Sequence, residues 1–339
     1  MPLSYSFRLV CLALLGIGSA QSLAELAFWF ASPRVVKLLN RNGARNQEQF
    51  LFWGQIATHA VALLLTIAFL VPRYVEAETN LFAERVGILS LAAALFILFR
   101  YLRALQHGLG MWWRAARLQR LLQPTEIAGS TLGIGLGPGP DQLVMSAPGP
   151  CPPVAVVGLL RPRILIARAM LDPSKLSPEG LAIALDHERA HLSHSDNWKL
   201  FALTCLPSLG LRTQARPGPV RLWQRYNDWA ADDDAVRDNP ARALTLAESL
   251  VACAKSIPPS EPDFLFTGFA AHEAELEARI ERLLDINRLL QAHTSLQPIT
   301  SRRLMAFLVG AGAVLIPICL LAAIAPWLQE AAETILHLG

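Results

Sequence analysis

Charged residues and patterned cysteines are both scarce in this chain. Asp, Glu, Lys and Arg make up 17% of its 339 residues while hydrophobic types make up 53%, and the mean hydropathy is +0.35. An ordinary soluble domain carries about 25% charged residues, so this balance argues against a wholly water-soluble protein and assigns much of the chain to lipid. The formal net charge is only +3, which leaves no global basic field to attract nucleic acid, and no direct nucleic-acid binding is expected. Cys11, Cys151, Cys205, Cys253 and Cys319 are scattered singly without a CxxC pair. Neither a disulfide framework nor a thiolate metal site is expected, and each reads as a small buried residue. Gly133, Gly135, Gly137 and Gly139 lack a following Gly-Lys-Ser/Thr, which excludes a phosphate loop.

Apolar runs are what the chain has in abundance. Residues 9–30, 54–72, 86–102 and 304–328 each come near the roughly 20 apolar residues that a membrane span requires. In the third, Arg100 must snorkel to an interface. The first has features of a cleavable signal, with Arg8 ahead of the apolar core and Ser19-Ala20 within it. Apolar sequence continues through Phe30, however, and favours a retained span. Arg34, Lys37, Arg41 and Arg45 stand against Glu48 alone between the first two runs, whereas Glu76, Glu78 and Glu84 outnumber Arg73 and Arg85 before the third. Positive loops stay inside, so the first loop is expected in the cytoplasm. Arg114, Arg117 and Arg120 follow the third run and Arg302 and Arg303 precede the fourth. The long segment between them then lies on the same side, with both termini outside. Glu25 and His59 fall about five residues from the cytoplasmic ends of their spans, roughly 7.5 Å deep. Ionisable groups inside spans pair, which predicts a Glu25–His59 contact unless each snorkels separately.

The intervening segment reads as an amphipathic surface helix over residues 107–122, then a Gly- and Pro-rich flexible linker over 124–162. Residues 154–160 and 163–167 are β-rich and separated by Arg161-Pro162, which predicts a hairpin or a broken strand whose edge could receive an extended peptide. Ser177 offers an N-cap, Pro178 suits the first helical position and Glu179 the first turn. The helix so started runs through His187-Glu188-Arg189-Ala190-His191. Residues four apart stack on one helix face, so His187 and His191 can offer two imidazoles to one zinc ion with Glu188 beside the open position. A carboxylate there can take a proton from an activated water and hand it to a leaving amine. The same five residues also arise on solvated helix faces, so the motif needs a further ligand. Tetrahedral zinc takes a third protein group, and Asp228-Trp229-Ala230-Ala231-Asp232-Asp233-Asp234 holds the candidates. Asp228 and Asp232 are again four apart, so one can bind the metal while the other orients a ligand histidine. The plainer alternative is an acidic first turn that offsets a helix dipole.

These pieces resemble the membrane zinc metallopeptidases of the BlaR/MecR type, the β-lactam sensor-transducers. The resemblance covers residues 153–290 and the layout of spans. Val157-Gly158-Leu159-Leu160-Arg161-Pro162-Arg163-Ile164 is similar to the family's Gly-x-x-x-Pro segment, and His187-Glu188-Arg189-Ala190-His191 with Asp196-Asn197 is similar to its zinc helix with a trailing Asp. Asp228-Trp229-Ala230-Ala231-Asp232, followed by Ala235-Val236, falls where the family has Glu-x-x-x-Asp, and Arg279-Ile280-Glu281-Arg282-Leu283-Leu284 resembles its closing helix. The resemblance implies His187, His191 and Asp228 as zinc ligands, Glu188 as catalytic base and Asp232 as the ligands' supporting partner. The family carries Glu where this chain has Asp228, so either the helix sits closer to the metal or Asp232 binds instead. The sensors also carry an extracellular penicillin-binding domain, whereas only residues 329–339 follow the fourth run here, without a Ser-x-x-Lys motif. Direct covalent β-lactam sensing is not expected.

The expected architecture is mainly α and integral to the membrane. Residues 1–106 hold three transmembrane helices and residues 107–303 form a cytoplasmic α+β, gluzincin-like zinc metallopeptidase domain. Residues 304–339 add the fourth span and a short tail. The expected protein is a multi-pass zinc endopeptidase of the inner (cytoplasmic) membrane, compatible with homo-oligomers, that cuts a cytoplasmic protein in signal transduction. The resemblance implies a transcriptional repressor as that substrate. Two alternatives stand beside it: a zinc protease of membrane-protein quality control, and a catalytically silent transducer that keeps the zinc domain as a binding module.

Overall fold

The computed structural model describes residues 5–39, 43–77, 87–121, 125–127, 144–147, 152–210, 217–237, 239–255, 266–268 and 273–291. The span expected over residues 304–328 lies outside the described residues. Long apolar helices open the chain: α1 (Tyr5–Leu39), α2 (Ala44–Leu65) and, after it, α3 (Val71–Ala77) and α4 (Ile88–Leu121). A π-turn at Thr66–Leu70 joins α2 to α3 just ahead of Pro72, whose ring removes a donor from the helical ladder. Tyr5–Leu39, Ala44–Val75 and Ile88–Arg117 are each long and apolar enough to cross a membrane. Leu64, Phe69, Phe96 and Phe99 point outward from them, an apolar surface suited to lipid and too extensive for water.

The helix expected over residues 107–122 is present as far as Leu121, but as the second half of α4, which runs unbroken from its apolar half through Trp112 and Trp113. No proline or capping residue stops it, and Arg117 Cζ stacks 5.5 Å from the Trp113 ring centroid. Gly108 lets α4 approach α6 (Asp196–Cys205). A Cβ there would lie 2.3 Å from Cys205 Sγ.

Val154–Val157 (β3) and Arg163–Ala167 (β4) form the expected antiparallel hairpin, with Gly158 at φ +101° leading into the turn, a conformation that favours glycine. The stretch expected to be a flexible linker also contributes β1 (Thr125–Ile127) and β2 (Val144–Ala147), giving a five-stranded sheet in the order β1-β2-β4-β3-β5. β5 (Phe266–Gly268) pairs with β3 through Val156↔Thr267, so the edge expected to await a peptide is already paired by the chain's own strand.

Four more helices complete the described fold: α5 (Pro178–Ser193), α7 (Pro219–Val236), α8 (Pro240–Ala254) and α9 (Glu273–Gln291). α5 starts as its sequence predicts, with Ser177 Oγ accepting from the Gly180 amide at 3.0 Å and Pro178 in the first turn. Leu181, Ile183, Ala184 and Leu185 bury its inner face against Val156, Ile164 and Ile166 of the sheet and Leu246 and Leu250 of α8. A second core joins Trp223 of α7 and Leu200 of α6 to Phe28 of α1 and Leu51 of α2. Complete burial of the Trp223 side chain contributes roughly 4–6 kcal/mol of transfer free energy. The apolar helices and the domain that follows therefore pack as one body on this side.

The Glu25–His59 contact predicted from depth does not form. Both residues hold the segment after α6 instead. Glu25 accepts from the Ser208 hydroxyl and from the Leu209 amide at 2.9 Å. His59 Nε2 lies 3.0 Å from the Pro207 carbonyl, which also accepts from Gln21 Nε2 at 2.8 Å. The inserted main chain satisfies both groups and leaves them no need of each other.

Candidate metal centre

Each imidazole of the helix motif is turned by a carboxylate behind it. His187 Nδ1 lies 2.9 Å from Asp232 Oδ1, and His191 Nδ1 lies 2.9 Å from Asp196 Oδ2. Both Nε2 atoms are thereby left to converge, 3.1 Å apart. Asp228 Oδ1, one helical turn before Asp232 on α7, stands 3.7 Å from His191 Nε2. Ligand atoms of His187, His191 and Asp228 all lie within 4.8 Å of one another. Two groups bound to one ion at about 2.0–2.1 Å in a tetrahedral shell are roughly 3.3–3.4 Å apart. The two measured separations bracket that value, so these three residues could hold a metal ion. Asp232 lies behind His187, on its Nδ1 side, rather than among the converging atoms.

The residues behind the cluster are held in turn. Arg279 of α9 grips Asp232 with two bonds, Nε to Oδ2 at 3.0 Å and Nη2 to Oδ1 at 2.6 Å, and its Nη1 is 4.0 Å from Asp228. Arg282, one turn on, binds Asp233 at 2.6 Å and stacks over Trp229 at 5.2 Å. Asn197 at the start of α6 donates to the carbonyls of Val156 at 3.2 Å and Gly158 at 2.9 Å. The helix carrying Asp196 is thus tied to β3. The acidic run sits in the middle and end of α7, which rules out the dipole-offsetting first turn.

Burial sets the proton inventory. It drives His187 down to about 3, against the pull of Asp232, so this imidazole is neutral. Burial also opposes charge on His191, but Asp196 beside it, with Glu188 and Asp228, outweighs burial and raises the group above its usual value. Without a metal, His191 can hold the proton that lies between the two Nε2 atoms. Burial likewise pushes Glu188 up to about 8 and Asp228 to about 6, with nearby cations pulling the other way. Asp232, despite burial, is held far below the usual carboxylate range by Arg279 and His187. Neither Glu188 oxygen finds a hydrogen-bond partner of normal geometry among the described residues, although the Val156 amide is near enough to favour its charge. A fully buried carboxylate with open lone pairs beside two converging imidazoles fits a site built for an ion and a water.

The sequence pattern identified His187, Glu188, His191, Asp228 and Asp232, and the fold brings all five together. It gave Asp196 and Arg279 no role of their own. Asp196 is five residues from His191 but on a different helix, and Arg279 is 47 residues from Asp232. Their only advance signal was membership in the segments that carry the resemblance. No protein-family model matches the chain, and comparison with curated proteins finds no match.

Proposed function

We propose that this chain is a membrane-anchored zinc endopeptidase of the BlaR/MecR type that cuts a cytoplasmic protein, in the manner of a signal transducer acting on a transcriptional repressor. The observation that carries the reading is Glu188: a buried, unsatisfied carboxylate adjoining His187, His191 and Asp228, whose atoms fit one ion. Zinc is the ion such a His-His-carboxylate set favours. Bound there, it would supply Lewis acidity that polarises a peptide carbonyl and acidifies a water.

The chain's own groups do the rest. Asp232 and Asp196 hold the two Nδ1–H groups and so aim both Nε2 lone pairs inward. Arg279 keeps Asp232 ionised and, through its contact near Asp228, spreads positive charge over both carboxylates. Glu188 accepts the proton of the attacking water on a carboxylate oxygen and returns it to the departing amine. A peptide that pairs with β3 would take the place of β5, whose three residues now occupy that edge.

Glu188→Gln is the test, made in the full chain in membranes. The variant should keep its metal and lose cleavage, and the proteins that accumulate uncut in cells carrying it identify the substrate. Accumulation of a repressor supports the transducer reading, whereas accumulation of misfolded membrane proteins replaces it with quality control. Undiminished cleavage by Glu188→Gln would overturn the catalytic role, and a wild-type chain without cleavage products leaves a silent binding module as the account.

A further inference from the structure

Glu48 enters the sequence as the lone acid in a basic loop, yet in the structure it lies in the first turns of α2 and is fully buried, 0% exposed. An amphipathic helix end does not need a buried carboxylate, which is costly unless it is partnered. Apart from Arg45 on the same helix, whose Nη1 lies 3.6 Å from Glu48 Oε2, its partners belong to the domain that holds the candidate metal centre. Glu48 Oε1 accepts from Trp223 Nε1 at 2.9 Å and from Lys199 Nζ at 3.2 Å. The same ammonium reaches Asp196 Oδ1 at 2.8 Å, and the other Asp196 oxygen holds His191 Nδ1 at 2.9 Å. Charges therefore alternate along a continuous path from α2 to a candidate ligand: Glu48, Lys199, Asp196, His191.

We propose that Glu48 is a positioning residue for the metal centre, acting through Lys199 and Asp196 on His191 and through Trp223 on the helix that carries Asp228. The inference rests on the metal-site reading above and deepens it by naming what fixes the ligands from the membrane side. Asp196 is held on one oxygen by the ammonium and on the other by the imidazole, so it has one orientation and so does His191. Without Glu48, Lys199 loses its buried anchor and Asp196 becomes free to rotate. Trp223 loses its acceptor at the same time, and Trp223 precedes Asp228 by little more than one turn of α7. Arg45, also in the first turn of α2, adds a second grip on α7 by bonding Asp234 at 2.8 Å.

The path has a mechanical consequence. α6 begins at Asp196 and ends just before Pro207, whose carbonyl is held by Gln21 of α1 and His59 of α2. α2 thus contacts the helix supporting His191 both at Lys199 and beyond its far end. A slide of α2 by about 1–2 Å, ordinary for helix shifts, is enough to break bonds of this length. The apolar helix placed to carry a membrane signal is bonded directly to the support of His191.

The experiment uses the purified full chain in nanodiscs, with Zn2+ affinity measured by chelator competition, the visible spectrum of the Co2+-loaded protein, and melting of the metal-free protein. Glu48→Gln keeps an acceptor for Trp223 and removes only the charge. Lys199→Met cuts the path one step later. Each should weaken Zn2+ binding by about tenfold or more and alter the Co2+ bands, and the double variant should lose no more than either alone. Glu281→Gln, on the exposed face of α9, should change neither readout. Normal Zn2+ affinity with an unchanged Co2+ spectrum in Glu48→Gln overturns the proposal whatever the melting temperature, and so do fully additive losses in the double variant. If Glu48→Gln does not fold, Lys199→Met decides by the same two readouts. Retention of metal by a His187→Ala, His191→Ala double variant removes the metal-site reading and this inference with it. Loss of metal there with normal binding in Glu48→Gln and Lys199→Met removes this inference alone.

Discussion

Arg279→Met is the substitution whose cost follows most directly from the structure. The guanidinium is 1% exposed and its principal partner Asp232 is 0% exposed, joined by bonds of 3.0 and 2.6 Å. Methionine fills much the same volume, so the change leaves little cavity and isolates the electrostatic loss. It leaves Asp232 ionised and buried with only the His187 Nδ1–H to hold it, near a second buried carboxylate, Asp228. Breaking a buried pair by removing one partner costs about 3–5 kcal/mol, because the remaining charge is uncompensated. At about 2–4 °C per kcal/mol for a body of 150–250 residues, that is a fall of about 6–20 °C in melting temperature. The measurement belongs in chelator, since bound metal would stabilise the folded state by mass action. Adding Asp232→Asn removes the stranded charge while keeping an acceptor for His187, so the double variant should recover most of the loss. A loss below about 1 kcal/mol in Arg279→Met, or a double variant less stable than the single, would falsify the buried-pair account.

Two further outcomes follow from the arrangement around the imidazoles. Asp228→Ala should cost more Zn2+ affinity than Asp232→Ala, whose effect through His187 should be about 10–100-fold; the reverse order, read by chelator competition, would make Asp232 the ligand. Zn2+ affinity should also fall as pH decreases, because His191 is held above its usual value in the metal-free protein and must give up a proton to bind. Below that midpoint the fall is about tenfold per pH unit for one displaced proton. Asp196→Asn removes the charge that raises His191, so its fall should begin at lower pH, and a wild-type affinity flat from pH 8 to 5 would contradict the assignment.

What the sequence made legible was what depends on local periodicity. The Ser177 cap, the helix through His191, the β3–β4 hairpin and three apolar helices all follow from spacings of two to four residues or from long runs. Less legible was whatever depends on where distant segments meet. α4 looked like two elements because its composition changes at Gln106-His107, yet composition does not end a helix without a stop signal. Glu25 and His59 were matched by depth alone, and nothing local showed that Pro207, Ser208 and Leu209 would come between them. Glu48 counted as a loop charge because the turn into α2 ends earlier than the apolar run begins. The fold places it opposite Trp223, 175 residues away. Asp196 and Arg279 serve the site from other helices, so no spacing rule links them to the histidines.

The Asp at position 228, where the resembled family carries Glu, is explained by how closely α7 is held. Ala230, Ala231 and Ala235 are all 0% exposed, small side chains that let α7 settle near its neighbours. Three pins then fix its position: Trp223 on Glu48 at 2.9 Å, Arg45 on Asp234 at 2.8 Å, and Asp232 in the grip of Arg279. With the backbone pinned here, the shorter carboxylate already stands 3.7 Å from His191 Nε2, and an added methylene would displace the carboxylate oxygens from that position. Asp228→Glu should therefore weaken Zn2+ binding, by about tenfold, the low end of the range for disturbed supporting groups. It should still bind better than Asp228→Ala, which has no carboxylate at all. The Co2+ spectrum should shift with it, because the longer side chain has to approach from another angle. Tighter binding by Asp228→Glu than by the wild type would mean that α7 can retreat, and that the alanines and the three pins do not set the spacing of this site.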